Sequence, residues 1–372
     1  MEPFRPTRAE INLKALDKNI ESLRSFLGSR TKFMAIVKAN AYGHGAKEVA
    51  LAAEKAGADY LGVAYLGEAL ELRSCGIKTP ILILSETPAS FAGHVIEHDI
   101  TQTVYTVGMA QELSRCASLQ GKKARVHVKV DTGMGRVGVF PSGAPELIKN
   151  IARLPFIEIE GIFTHFSCGE DLENNLTQNQ LDAFLSVLDL IKKEGFSIPI
   201  KYCANSAAVF NFPKSHLDMA RLGITMYGLY PPGLKRCPVV LQKVLSLKTK
   251  VLYIKRVPKG TPLSYGATYV TQKETSIATL PVGYADGLSR QLSNKGQVLI
   301  RGKRYPIVGR VTMDMTLVET GDDKIEVWDD VSIIGKDGSE EITADEIAGL
   351  IDSINYEVVC GIGKRVPRVY IR

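Results

Sequence analysis

Through the first two thirds of the chain, short apolar runs alternate with stretches whose apolar positions return every three or four residues, the rhythm of strand followed by amphipathic helix. The runs predict eight strands, at Phe33 to Ala39, Tyr60 to Tyr65, Pro80 to Ser85, Thr101 to Thr106, Ala124 to Thr132, Ile157 to Phe166, Ile200 to Asn205 and Leu217 to Gly223. Between them, segments such as Ala46 to Ala56 and Leu181 to Glu194 close on glycine, as helices do. Eight βα units imply a (β/α)8 TIM barrel, since flavodoxin-like and Rossmann sheets use fewer strands. An earlier run, Thr7 to Leu13, makes a ninth strand placed outside the barrel. From about Cys237 the pattern turns to strands punctuated by Lys-Gly, Asn-Lys-Gly and Lys-Asp-Gly, with one clear helix at Thr343 to Asp352. The expected class is α/β: a barrel domain over 1–236 and a mostly-β domain over 237–372, joined near Tyr230-Pro-Pro-Gly233.

Composition narrows the picture. With 372 residues, 45% hydrophobic and 23% charged, the chain suits a two-domain globular protein. The 46 basic and 40 acidic residues leave a net charge of +6 without any run of one sign, which argues against a nucleic-acid partner and leaves room for an anionic ligand. Six dispersed cysteines with no CxxC pair read as reduced thiols. The N-terminal residues lack an apolar leader, and no stretch reaches the ~18 apolar residues of a membrane span, so a cytoplasmic location is expected.

Chemistry concentrates where the first barrel strand ends, at Lys38-Ala-Asn-Ala-Tyr-Gly-His-Gly45. A lysine at the end of an interior strand sits among apolar neighbours; desolvation frees its neutral amine to attack a carbonyl, the chemistry of a Schiff-base lysine. The competing account is a lysine that snorkels to solvent. Cys203-Ala-Asn-Ser-Ala-Ala208 follows strand seven and Arg221-Leu-Gly-Ile-Thr225 follows strand eight, where this fold commonly cradles a phosphate. A carbonyl-reactive lysine together with such a cradle suggests pyridoxal 5'-phosphate. Two other motifs are set aside. His94-Val-Ile-Glu-His98 has metalloprotease spacing, but it falls on an outer helix away from the barrel's C-terminal face, with no third ligand indicated. Gly133-Met-Gly-Arg-Val-Gly138 matches a dinucleotide fingerprint, yet Pro141 follows too soon for a helix to open on the third glycine; a loop carrying Arg136 fits better.

Val37-Lys-Ala-Asn-Ala-Tyr-Gly-His-Gly45 resembles the cofactor-lysine signature of alanine racemases, and the likeness continues through His127 to Arg136, Ala204-Asn-Ser-Ala207, Arg221 to Ile224, Ser264-Tyr-Gly266, Pro281 to Gly287 and Gly309 to Asp314. Two departures stand out: Thr312 where relatives commonly have cysteine, and Phe-Ser-Cys-Gly-Glu after His165. The resemblance implies racemisation of alanine with pyridoxal 5'-phosphate, supplying D-alanine for peptidoglycan. It implies that Lys38 carries the cofactor and shares acid–base work with Tyr265. Tyr42, Asn205, Ser206, Gly223, Ile224 and Tyr356 would hold the phosphate, His165 would pack near the ring, and Arg221 would face the pyridine nitrogen. Arg136 and the Met313 backbone would hold the substrate carboxylate, and Lys129 aligns with a lysine that relatives carry as a carbamate. No metal is implied. A symmetric homodimer is, each site completed by the partner's β-domain.

A protonated pyridine beside Arg221 would set two positive charges ~4 Å apart, about 4 kcal/mol at an effective dielectric of ~20, so the nitrogen should stay neutral. That argues against a barrel-type decarboxylase, which pairs the nitrogen with an acid. A pyridoxal-phosphate carrier of the single-barrel type would lack the second domain. A racemase for serine or another small amino acid is the remaining alternative, with the bulk of Tyr356 favouring alanine.

Overall fold

The computed structural model describes residues 5–234 and 237–372. The N-terminal tip and the expected domain boundary at residue 236 lie outside the described residues. Two compact units emerge: Leu16–Ala41 with Ala46–Gln242, and the segment through Ala15 with Tyr42–Gly45 and Lys243–Arg372.

The first unit contains the eight expected strands. In chain order, after β1 (Arg8–Asn12), they are β2 (Lys32–Ile36), β3 (Tyr60–Val63), β4 (Ile81–Ile83), β5 (Thr101–Val104), β6 (Ala124–Lys129), β7 (Ile157–Phe163), β8 (Ile200–Tyr202) and β9 (Met219–Leu222). They pair in parallel in the order β8-β7-β6-β5-β4-β3-β2-β9. Irregular bonds link the two ends: Asp218 N–H donates to Lys201 O (3.0 Å), Lys201 N–H to Asp218 Oδ2 (2.8 Å) and Arg221 N–H to Ala204 O (3.1 Å). Closure removes the exposed edges an open sheet would present. β3, β4, β5 and β9 are buried at every position, as strands covered on both faces must be. The helix expected at Leu181 to Glu194 begins earlier, spanning Leu176–Lys193.

The second unit is mostly β and reads differently. Leu245–Lys250 and Thr316–Gly321 alternate buried and half-buried positions, the pattern of sheets with one covered face. Two expectations are corrected here. The N-terminal segment, expected to belong to domain 1–236, belongs to this unit: β1 pairs antiparallel with Leu245–Lys250 and parallel with Arg368–Ile371. Among its described residues the segment 243–372 also has two α-helices, not one, since Asn355–Cys360 follows Ala344–Leu350. Its six residues are too few to display a helical period, and it carries Tyr356.

Candidate active site

Strand β2 ends at Ile36, short of the expected Ala39, and the chain then does something the apolar pattern does not announce. Ala39, Asn40, Ala41 and Tyr42 all take positive φ, between 52° and 54°. A left-handed turn of non-glycine residues costs about 1–2 kcal/mol each, so the surroundings must hold it. Glu68 accepts from Ala39 N–H (2.6 Å), Asn40 Oδ1 accepts from Ala46 N–H (2.8 Å), and Ala41 N–H donates to Val37 O (2.9 Å). Glu68 also accepts from Ala64 N–H (2.7 Å). Lys38 is half-buried, less enclosed than a strand-end lysine among apolar neighbours would be.

Arg221, on β9, is the electrostatic centre of the barrel's contribution. Buried at 4% exposure, it donates through Nη2 to Cys203 O (2.8 Å) and to His165 Nδ1 (3.1 Å). Its guanidinium carbon lies 5.4 Å from the Phe163 ring centre and 5.3 Å from that of Tyr202. Tyr202 Oη in turn lies 2.7 Å from Nδ1 of the buried His127. A guanidinium has only donors, so His165 Nδ1 must accept, which places any proton on Nε2. Burial and the charges of Arg221, Lys129, Arg136 and Lys38 hold the His165 imidazole well below its ordinary pKa and therefore neutral. Arg221 Nη1 is buried without a hydrogen-bond partner among the described residues.

Lys129 ends β6 at 3% exposure, and its Nζ likewise lacks a partner among the described residues. Burial first, then Arg221, pushes its pKa down to about 7. The loop that follows, with Gly133, Gly135 and Gly138 all at positive φ, opens no helix on its third glycine. Asp131 organises it, Oδ1 accepting from the N–H groups of Gly133 (3.0 Å), Met134 (2.9 Å) and Gly135 (3.0 Å). Burial opposes ionisation of that carboxyl, but the three donors hold it below the usual carboxylate range. Arg136 emerges exposed from this loop. In the segments that follow β8 and β9, Ser206 Oγ accepts from Gly223 N–H (3.0 Å) and lies 3.3 Å from Thr225 Oγ1. Asn205 Oδ1 accepts from Ala208 N–H (3.0 Å), and Ile224 begins a short 3-10 helix.

The second unit holds the other predicted residues. Tyr42 is buried with its ring 5.9 Å from that of Tyr356, and burial followed by the charges of Tyr356 and Cys360 raises its phenol. Tyr265 is 71% exposed on a turn where Ser264, Gly266 and Ala267 take φ of 61°, 72° and 47°. Ser264 Oγ ties that turn down by donating to Arg310 O (2.7 Å). Met313, 51% exposed, sits in a loop fixed from behind: Tyr284 N–H donates to Thr312 O (3.0 Å) and Ala285 N–H to Met313 O (3.1 Å). A Cβ at Gly283 would overlap the Thr312 carbonyl, so only glycine allows this approach. Arg365 extends the support, pairing with Asp314 (2.8 Å) and with the buried Asp286 (3.1 Å), which Arg5 also holds (2.6 Å).

Sequence reasoning missed Glu68, because Tyr65 is not an N-capping residue and only the glutamate half of a capping box is present, Glu68 Oε2 accepting from Tyr65 N–H (3.3 Å), and it missed Asp131, Asp286 and Arg365, whose roles depend on partners no spacing reveals. At His94-Val-Ile-Glu-His98 the expectation of no third ligand needs amending, since one ligand atom from each of His94, Glu97 and His98 lies within 4.8 Å of the others. All three side chains are substantially exposed and the imidazoles pair with the carboxylate, His94 at 3.3 Å.

Comparison with known proteins bears on this arrangement. Residues 11–231 match the family profile "Alanine racemase, N-terminal domain" and 244–370 match "Alanine racemase, C-terminal domain". Alanine racemase 2 of Caldanaerobacter subterraneus subsp. tengcongensis is 46% identical over 372 residues, spanning 100% of this chain and 96% of its own. The solved alanine racemase of Clostridium difficile 630 superposes with a TM-score of 0.95 at 40% identity, covering 100% and 97% of the two chains. That of Bartonella henselae, described with covalently bound pyridoxal phosphate, gives 0.88 at 31%, covering 98% and 99%. Likeness of this extent defines an isomerase acting on a free amino acid. More narrowly, the chain belongs to the alanine racemase family and racemises alanine.

Proposed function

We propose that the chain interconverts L- and D-alanine by two opposed bases, Lys38 and Tyr265, with pyridoxal 5'-phosphate as cofactor, and so supplies D-alanine for the bacterial cell wall. The observation that carries the cofactor reading is the buried Arg221 guanidinium and its bond to the half-buried His165. Arg221 Nη1 lacks a partner among the described residues while Nη2 is committed to His165, so one donor remains for an acceptor such as an unprotonated pyridine nitrogen. Ser206, Asn205, Gly223 and Ile224, with Tyr42 and Tyr356, would hold the phosphate. When bound, the cofactor would acidify the α-hydrogen of its amino-acid substrate by spreading the electron pair left behind. Arg221, a cation, keeps the nitrogen it faces unprotonated and so limits that spreading.

Within this reading Lys38 Nζ exchanges a proton with one face of the α-carbon and Tyr265 Oη with the other. Arg136 and the Met313 N–H orient the carboxylate between them. Lys129, largely unprotonated above its pKa of about 7, is competent to add CO2 and release a proton; the resulting carbamate would supply the acceptor Arg136 needs. Tyr265 and Met313 serve the neighbouring subunit's barrel in a symmetric homodimer, which works in the cytoplasm. Among the described residues no helix is long and apolar enough to cross a membrane.

The test is α-proton exchange in deuterated water across a panel of L-amino acids, combined with borohydride reduction and peptide mapping. Exchange confined to alanine with the pyridoxyl group on Lys38 is expected. Faster exchange of serine, or a label on another lysine, contradicts the reading.

A further inference from the structure

The end of the chain offers a cation with no carboxylate. Arg368, half-buried in the terminal strand Arg368–Ile371, forms no ion pair among the described residues. Its donors go to four backbone carbonyls: Nε to Gly43 O (2.9 Å), Nη1 to Gly363 O (2.6 Å) and Val366 O (2.7 Å), and Nη2 to Ile362 O (2.6 Å). Partly desolvating a guanidinium against neutral acceptors is a costly way to gain stability, so its value lies in which segments it joins. One is the turn Tyr42–Gly45. The other is the stretch 362–366, just past the helix Asn355–Cys360 that carries Tyr356.

Independent signs of close fit converge on the same place. Gly43 takes φ of 80°, and a Cβ there would overlap Val359 O, inside the Tyr356 helix; a Cβ on Gly45 would overlap the Tyr370 hydroxyl, two residues beyond Arg368. The turn is therefore seated on the helix and the terminal strand with no room for a side chain, and Arg368, from that strand, bonds both the turn and the stretch that follows the helix. Between them stand the rings of Tyr42 and Tyr356, 5.9 Å apart.

We propose that Arg368 is the positioning residue for the phosphate-recognising pair Tyr42 and Tyr356, setting affinity for the 5'-phosphate of the cofactor and not for alanine. This rests on the reading above that both phenols face the phosphate. Arg368 acts at a distance, fixing through the backbone the spacing of two hydroxyls that a phosphate must bridge.

The experiment titrates the full-length apoenzyme with pyridoxal 5'-phosphate and, separately, with pyridoxal, which lacks the phosphate, following cofactor absorbance. Arg368→Met should weaken pyridoxal 5'-phosphate by about 10-fold, in line with losing a charge-assisted hydrogen bond, and pyridoxal by less than about 2-fold. At saturating cofactor, kcat and the KM for alanine should stay within about 3-fold of wild type, a recovery that a merely structural role would not give. Arg368→Lys, which keeps the charge and can bond fewer carbonyls, should fall between, and it carries the comparison if the methionine variant does not fold. Tyr42→Phe and Tyr356→Phe test the underlying reading, since both should erode the preference for the phosphorylated ligand. If they keep it, the assignment of those phenols fails. If they lose it while the Arg368 variants keep it, or if those variants weaken both ligands equally, the role given to Arg368 is overturned.

Discussion

The barrel and the β-rich unit hold their candidate site residues in opposite ways. In the barrel, Arg221 and Lys129 are buried with His165 half-buried beside Arg221, and desolvation with mutual repulsion fixes their charge states: a guanidinium, a neutral imidazole and a lysine with a pKa of about 7. In the β-rich unit, Tyr265 and Met313 stand open to solvent, and what is fixed is the backbone beneath them, through positive-φ turns, the glycine-only approach at Gly283 and the Arg5–Asp286–Arg365–Asp314 chain of ion pairs. One surface sets electrostatics and the other sets position. Neither suffices for inversion at carbon, which needs groups on two faces.

The comparison breaks first at Lys38. Lys38→Ala should lower racemisation by about 10³-fold or more from either enantiomer and remove the visible absorbance of bound cofactor, both measured on purified protein. A variant that keeps its colour and turns over would end the account of the barrel side.

Tyr265→Phe sharpens the other side. Losing the phenolic oxygen as a base should cost about 10²-fold or more in α-proton exchange from L-alanine in deuterated water, and far less from D-alanine. Equal losses from both enantiomers would remove the distinction between faces.

Lys129 allows a smaller test of charge control by burial. Its folded pKa of about 7 lies below the ordinary 10.5. Below pH 7 the amine is protonated folded or unfolded, and the fold bears the full cost of the enclosed charge. Between about 7 and 10.5 the unfolded chain binds the extra proton, so stability rises with pH across that window. Denaturant midpoints should show the rise in wild type under CO2-free conditions and lose it in Lys129→Met. The same variant should raise the KM for alanine, by about 10-fold if the carbamate orients Arg136.

The remaining test, on stability alone, is at Glu68, which anchors the left-handed turn through Ala39 and braces Ala64. Glu68→Ala should cost about 2 kcal/mol in chemical denaturation, the scale of charged hydrogen bonds left unmade. Destabilisation below a few tenths would mean the turn is held by its own packing.

These tests also mark where the sequence was legible. The eight barrel strands announced themselves because buried parallel strands are continuous apolar runs, and the lysine signature and candidate phosphate loops follow strands where this fold places its chemistry. The turn at Ala39–Tyr42 was hidden because, of its four residues, only Asn40 has any leaning to the left-handed region, and alanine and tyrosine have none; Glu68, far along the chain, helps to hold it. The membership of β1 in the β-rich unit was hidden for a related reason, since its partners are Leu245–Lys250 and Arg368–Ile371, more than two hundred residues away. Candidate site residues were readable through resemblance, whereas the groups that support them from behind, such as Asp286, Arg365 and Arg368, were not. Their partners are set by tertiary packing and no local pattern encodes it.

The central claim is that the enclosed charges of one subunit's barrel act together with the exposed Tyr265 and Met313 of its neighbour. The most direct measurement makes Lys38→Ala and Tyr265→Ala separately, confirms that each is inactive, and unfolds and refolds them together. A mixed dimer built as proposed has one site with both defects and one with neither, so racemase activity should reappear, approaching about a quarter of wild type when the mixing is statistical. If every site were built within a single chain, each would keep one defect, and the refolded mixture would be no more active than the two variants alone.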